Sequence, residues 1–422
     1  MAKSLAELNA AYHELFYSED QALFNLLLAV VIGAKMPTPV VWIYVVGPSS
    51  GGKGTVLSAF NRVPFITQIS DLTPNTLLSG MKVAGKETSL LKKLGNNFCV
   101  TMKDFTTMIS KDETAQGQIM AQLREVYDGY YTKVTGNGQA MAWGEKDKPW
   151  KSTFIMATTE EIFHISEKFS GMGTRAINYV FVPQDRKKTM RASLTNKRNN
   201  EKFNAQLLAL QDDVALFVAE KIAVAPHEFA PLSEDIENDI IDVAALASQC
   251  RSVVKRDYRG EKNLALSAEF PMRMGEQLLA IAQLLAYINN GELTKEMREC
   301  VMKCAFDSIP KQRRIIMELA AKHPMIDIIG TGMAINYPPQ LVRAWVEDLQ
   351  MFGIMERQKH GSREYWKIND EHRKTLVKHL GIQQVGVNLE SDDRGEVAGG
   401  DMTWEEKEAQ IASERAFNES FN

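Results

Sequence analysis

Cysteine is scarce in this 422-residue chain: four residues, at positions 99, 250, 300 and 304, with no C-x-x-C pair and no nearby His pair to complete a zinc site. That excludes a disulfide-stapled scaffold and a zinc finger, and the thiols read as those of a reduced, cytosolic protein. Long apolar runs are missing too. The strongest, Ala22 to Ala34, is interrupted by Asn25 and is about half of the ~20 residues a membrane span needs. The N-terminus has no cationic start followed by a cleavage pattern, so the expectation is a soluble, unexported protein with no membrane partner. No repeat of solenoid period occurs.

What is present is 45% hydrophobic and 24% charged, enough chain for two or three domains that each bury a core. The net charge of -4 is unevenly spread: residues 385 to 422 hold ten acids and three bases, or -7, which leaves about +3 on the remainder.

Five regions follow from the pattern. Residues 1–38 place Leu5, Leu8, Tyr12 and Leu15, then Leu23, Leu27 and Val30, at helical spacing, which predicts two scaffold helices. Residues 39–185 change to short β-rich runs (V-V-W-I-Y-V-V at 40–46, F-I-T-Q-I at 65–69, F-C-V-T-M at 98–102, T-F-I-M-A at 153–157, A-I-N-Y-V-F-V at 176–182) between helix-like stretches. Near-continuous apolar strands of this kind belong to a parallel sheet, so the fold class is α/β. Residues 186–305 turn helical, with stretches at 203–224, 234–257 and 271–289; 306–384 form a smaller domain, and 385–422 an acidic flexible tail with Trp404, Phe417 and Phe421.

Directly after the first strand stands G-P-S-S-G-G-K-G-T: Gly47, Pro48, Ser49, Ser50, Gly51, Gly52, Lys53, Gly54 and Thr55. Strand, glycine-rich loop and helix start are the context of a P-loop, in which inward N–H groups cradle phosphate, the lysine neutralises it and a hydroxyl holds Mg²⁺. The consensus puts Ser or Thr right after the lysine. Here Gly54 intervenes and Thr55 follows, an ending similar to that of adenylate kinases.

Asp104, after F-C-V-T-M, is the expected second metal ligand, with Thr55 the first. Phe105 stands where a water-activating Glu is usual, so Glu125 and Asp128 become candidates for that base, beside the plain alternative that each is a solvated or capping carboxylate. Thr158 and Thr159 end the next strand, where a hydroxyl can orient the attacking water. Arg175 precedes the last strand, beyond the phosphate edge of the sheet on this reading, where it suits a charge offered to a neighbouring subunit's nucleotide.

This succession of Gly47 to Thr55, Asp104, Thr158 and T-R-A-I-N at Arg175 resembles the AAA+ ATPase core, most closely its Mcm-like, superfamily 3-like branch. It is also similar to ATPases of phages and integrated elements through K-D-F-T at Lys103, L-R-E-V-Y-D-G at Leu123 and the aromatic-Gly pair at Trp143. The resemblance spans about residues 20 to 380. It implies ATP and Mg²⁺ as cofactors, a homo-oligomeric, hexameric ring, and the cytosol of a bacterial host. It also implies that the hairpin of residues 130–143, turning at Gly136 to Gly138, grips DNA through Lys133, and that Arg273 in a lid helix contacts nucleotide across the subunit boundary.

In the small domain, amphipathic helices from Ile309 and Pro338 followed by two strands around a basic tip give a helix, turn, helix, wing pattern. A winged helix usually reads DNA with its second helix, making Gln340 and Arg343 candidate readers and Lys359 and Arg363 phosphate contacts; such modules also bind proteins. The run Arg186 to Arg198 carries six bases and no acid, a solvated loop or a phosphate-neutralising cluster.

The function expected is an ATP-driven DNA helicase or translocase in phage or mobile-element replication. Its rivals are an ATP-dependent loader or initiator that hooks another replication protein by its acidic tail, an ATP-regulated transcription factor, and a nucleoside-monophosphate kinase.

Overall fold

The computed structural model describes residues 2–383 except 17–19, 80–81, 84–85, 135–137, 139, 169–174, 183–184, 257–261, 266–267 and 362. The acidic tail and the Gly136 side of the 130–143 turn therefore lie outside the described residues. Helix α1 (Leu5–Phe16) opens with a reciprocal capping box, Glu7 N donating to Ser4 Oγ at 3.3 Å and Ser4 N to the Glu7 carboxylate at 2.7 Å. Helix α2 (Gln21–Gly33), capped by Asp20 through Leu23 N at 2.9 Å, is apolar and buried on nearly every side, which accounts for the Ala22–Ala34 run as a central core helix.

There follow β1 (Ile43–Val46), α3 (Lys53–Ser58), β2 (Ile66–Ile69), β3 (Lys82–Val83), β4 (Lys86–Glu87), α4 (Leu90–Leu94), β5 (Phe98–Met102), α5 (Thr106–Ile109) and α6 (Glu113–Tyr127). Next come β6 (Tyr130–Val134), β7 (Ala140–Gly144), β8 (Ser152–Thr158), α7 (Glu161–Lys168) and β9 (Ile177–Val180), then α8 (Arg186–Arg198), α9 (Asn200–Ala223) and α10 (Glu234–Cys250). The described residues end with β10 (Val254–Arg256), β11 (Lys262–Ala265), α11 (Met272–Ile288), α12 (Lys295–Asp307), α13 (Lys311–Lys322), α14 (Ile328–Ile335), α15 (Pro339–Met351), β12 (Met355–His360), β13 (Arg363–Ile368) and α16 (Asp370–Leu380). The stretch expected as one helix over 234–257 thus breaks at Cys250, and its end pairs as a strand with β11.

These elements form two compact units, one of residues 1–245 with 270–308, the other of 246–269 with the residues from 309 onward. The first unit is built on a five-stranded parallel sheet in the order β2, β5, β8, β1, β9. Strands β5 and β8 are buried along their whole length, so they read as continuous apolar runs, whereas β2 at the edge is only partly covered. Trp42, Tyr44, Phe98, Phe105 and Phe154 pack one core cluster, and Trp42 donates its indole N–H to Ser152 O at 3.0 Å. All five strands point the same way. The loops after β1, β5 and β8 consequently emerge at one edge.

In the second unit, Ile326 bridges antiparallel to Trp366 beside the β12–β13 hairpin, Ile326 N donating to Trp366 O at 2.9 Å and Trp366 N to Ile326 O at 2.8 Å. Helix, bridge strand, two helices and hairpin are the order of a winged helix. Buried Arg313 holds it to residues 250–252, donating to Cys250 O at 2.7 Å and to Asp348 at 3.1 Å. The sequence reading paired the helices from Ile309 and Pro338; the structure inserts α14 between them, and Asn336, at φ 56°, makes the turn into α15. Two glycines in I-I-G-T-G-M-A-I weaken the helical signal of α14 in the sequence.

Candidate nucleotide-binding site

Strand β1 lies between β8 and β9, and the loop after it is pinned from both sides: Gly47 N donates to Thr158 O at 3.1 Å and Phe181 N to Val46 O at 2.7 Å. A Cβ on Gly47 would stand 2.4 Å from the Phe181 carbonyl oxygen, so only glycine fits there. The loop turns through Gly51 N to Pro48 O at 3.1 Å, with Ser50 and Gly52 at φ 61° and 93°. For Ser50 that conformation costs roughly 1 kcal/mol, strain of a kind that collects at functional loops.

Lys53 opens α3 and is 8% exposed; its Nζ donates to Gly47 O and Pro48 O, both at 2.7 Å. Desolvation holds this ammonium below the usual lysine range, and the charge of Asp104 opposes the shift. Lys53 and Asp104 follow β1 and β5, the two strands that flank β8, and stand at the same edge of the sheet. Asp104 follows β5, exposed, with one carboxylate oxygen accepting from Thr106 N at 2.9 Å and from the Thr106 hydroxyl. Phe105 is buried in the core, 5.4 Å from Tyr44 between ring centres, so position 105 faces away from the loop.

Thr158 is the register partner of Val46 and stands directly behind the loop. Its hydroxyl and that of Thr159 are buried with no hydrogen-bond partner among the described residues, as hydroxyls meant for a ligand or its water would be. Among the described residues no group of three His, Cys, Asp or Glu forms a metal cage. One exposed carboxylate, Asp104, and the exposed Thr55 hydroxyl suit Mg²⁺, which keeps most of its shell as water and phosphate oxygen.

A cavity of about 680 Å³ opens beside this loop, lined by Ser50, Gly51, Gly52, Thr55 and Val56 on one side and by Phe16, Tyr179, Phe181, Phe203 and helix α8 on others. Its size suits a nucleoside triphosphate. The basic run from Arg186 is therefore a helix and not a loop. It is capped by Asp185, which accepts from Lys188 N at 2.9 Å, and both Lys188 and Lys197 line the cavity.

Arg175 sits elsewhere. Parallel pairing sets Ile177 beside Ile43, so Arg175 lies at the amino ends of the strands, six residues before Phe181 and roughly 20 Å along the strand from Gly47. The expected place beyond the phosphate edge is corrected to the opposite edge. There Arg175 pairs with Asp128 at 3.1 Å, stands 6.0 Å from the Tyr127 ring centre and accepts on its carbonyl from Gln277 at 2.8 Å. Burial pushes the Tyr127 phenol up, while the charges of Arg273 and Arg175 pull it back, which puts Arg273 in the same neighbourhood. Glu125, one turn before Asp128 and exposed, acts on Tyr131 and does not join Asp104.

The fold is α/β, a parallel five-stranded sheet with helices around it. No protein-family model matches the sequence, and no curated protein matches it. Among solved structures, the chain is similar over 90% of its length to 72% of SCCmec type IV Cch, described as an active helicase, at 12% identity and a TM-score of 0.35. It is similar over 86% of its length to 91% of the Aeropyrum pernix ORC2 protein, solved as ADPNP and ADP complexes, at 13% identity and a TM-score of 0.27. Both likenesses are distant.

The residues expected to meet DNA are divided between the two units. In the first unit, Lys133 on β6 turns inward: its Nζ donates to Pro74 O at 2.9 Å, Asn75 Oδ1 at 2.8 Å and Leu78 O at 3.3 Å, clamping the 74–78 segment. In the second unit, Gln340 is exposed at the start of α15, and Lys359 and Arg363 are exposed near the wing tip. Arg343 pairs at 3.1 Å with Glu364, which Arg357 also holds. Ile329, Met333 and Leu341 stand 60%, 79% and 46% exposed on α14 and α15, an apolar surface that sequence alone does not separate from core positions.

Proposed function

We propose that the protein is an AAA+ ATPase of the Mcm-like, superfamily 3-like kind that assembles as a hexameric ring and drives a DNA helicase or translocase in phage or mobile-element replication. The observation that carries this reading is the separation of two charge clusters across one sheet. Lys53 and Asp104 stand at the carboxyl ends of the strands, and Arg175 with Arg273 at the amino ends, too far away to serve the same nucleotide. A ring in which each subunit's arginines meet the next subunit's loop uses both clusters.

In such a ring Lys53 leaves the Gly47 and Pro48 carbonyls for the β and γ phosphates, and the Thr158 hydroxyl orients water for attack on the γ phosphorus. Thr55 and Asp104 would hold Mg²⁺, which would neutralise charge on the phosphate oxygens. Arg175, drawn from Asp128, stabilises the charge that develops as the bond to the leaving diphosphate breaks.

A second reading, an ATP-governed loader or initiator, is favoured by two particulars. Phe105 leaves no carboxylate beside Asp104, and Lys133 is engaged within its own unit. Strand displacement on a forked duplex separates them: the motor reading expects unwinding with ATP and none with a non-hydrolysable analogue. Equal duplex binding with both nucleotides and no unwinding would favour the switch.

A further inference from the structure

Helix α8 is amphipathic in the wrong sense for a packed helix. A surface helix normally turns its apolar stripe inward and its charges outward. Here Met190 and Leu194, one turn apart, are 64% and 46% exposed on one side, while the side that borders the cavity carries Lys188, Thr189, Ser193, Asn196 and Lys197 around a single apolar Ala192. Hydrophobic burial gives no reason for that orientation. A nucleotide does, because Lys188, Lys197 and Lys303 outnumber the Asp20 and Asp185 carboxylates around a space bordered by Ser50, Gly51 and Gly52 of the loop, with Phe16, Tyr179, Phe181 and Phe203 as an apolar wall for a base.

We infer that α8 is a nucleotide-binding wall in its own right: Lys188 and Lys197 bind the phosphates of the nucleoside triphosphate held by the Lys53 loop of the same subunit. This rests on the P-loop reading and adds residues to it. The helix is tethered by its Asp185 cap and by Asn196 donating to Leu15 O at 3.2 Å, so its position is set before ligand arrives and the lysines need only reorient their side chains. Lys187 and Arg191 fall outside the residues that line the cavity and serve as a charge-matched control.

The test is titration of full-length protein with a fluorescent ATP analogue and Mg²⁺, comparing wild type, Lys53→Ala, the pair Lys188→Gln with Lys197→Gln, and the pair Lys187→Gln with Arg191→Gln. Helix content by circular dichroism is followed in each. The inner pair is expected to weaken ATP by about tenfold or more, and ATP more than AMP because the triphosphate carries more charge, with helix content kept and the outer pair near wild type. Equal effects of the inner and outer pairs, or an inner pair that binds as wild type does while Lys53→Ala fails, would overturn the assignment and leave the P-loop standing. A wild-type protein that binds no nucleotide would overturn both.

Discussion

Gly47 and Gly54 belong to the same loop and answer to different constraints. A side chain at 47 meets the Phe181 carbonyl, backbone that cannot swing away, whereas a Cβ at 54 finds only Lys103 side-chain carbons at 3.9–4.0 Å. Gly47→Ala should therefore cost about 1–3 kcal/mol of stability in urea unfolding and abolish nucleotide binding. Gly54→Ser should unfold within about 0.5 kcal/mol of wild type and keep binding, so the departure from the usual loop is a substitution the geometry tolerates. Equal losses at both positions would contradict this. Lys151 supplies a pH prediction: its Nζ donates to Met36 O at 2.9 Å, Thr38 O at 2.6 Å and Thr38 Oγ1 at 2.9 Å, and burial pulls its pKa down to about 7. Below that pH both folded and unfolded chains hold the proton. Above it the unfolded chain binds more, so wild-type stability should rise relative to Lys151→Met between pH 7 and 9, by up to about 1.4 kcal/mol per unit. A difference independent of pH would show that the group does not titrate there.

At the scale of elements, the strands were legible because burial along their whole length leaves unbroken apolar runs, and the loop was legible because Gly47, Gly52 and Lys53 do work that few other residues can. Helix α14 was not, since its glycines hide a helix that packing against α15 secures. Nor was the cavity-lining face of α8: its periodicity predicts a face, but only the fold shows that its polar side borders the Ser50–Gly52 loop. The winged helix gives a further expectation. Glu364, whose carboxyl is held below its usual range first by the Arg343 hydrogen bond, neutralises both Arg343 and Arg357. If α15 and the wing meet DNA, Glu364→Gln should tighten duplex binding and steepen its salt dependence by about one to two charges. Unchanged affinity and slope, measured by anisotropy across salt concentrations, would direct attention to the apolar surface of Ile329, Met333 and Leu341 as a protein contact.

For the whole molecule, the sequence singles out Arg175 but not the sheet edge it stands at, because chain order says that it precedes a strand and only the parallel register says which edge that strand begins on. The corrected position makes the oligomer testable. Arg175→Ala should bind nucleotide and lose turnover, Lys53→Ala should lose both, and mixing the two should restore part of the activity, since a junction between them can join an intact loop to an intact arginine. No recovery on mixing would contradict action between subunits. The most direct measurement of the central claim is steady-state ATP hydrolysis by the purified protein with no DNA, single-stranded DNA and duplex, beside Lys53→Ala. The account predicts turnover that DNA stimulates and that the Lys53 variant loses; turnover that is absent, or indifferent to DNA while ATP still binds, would contradict a DNA motor.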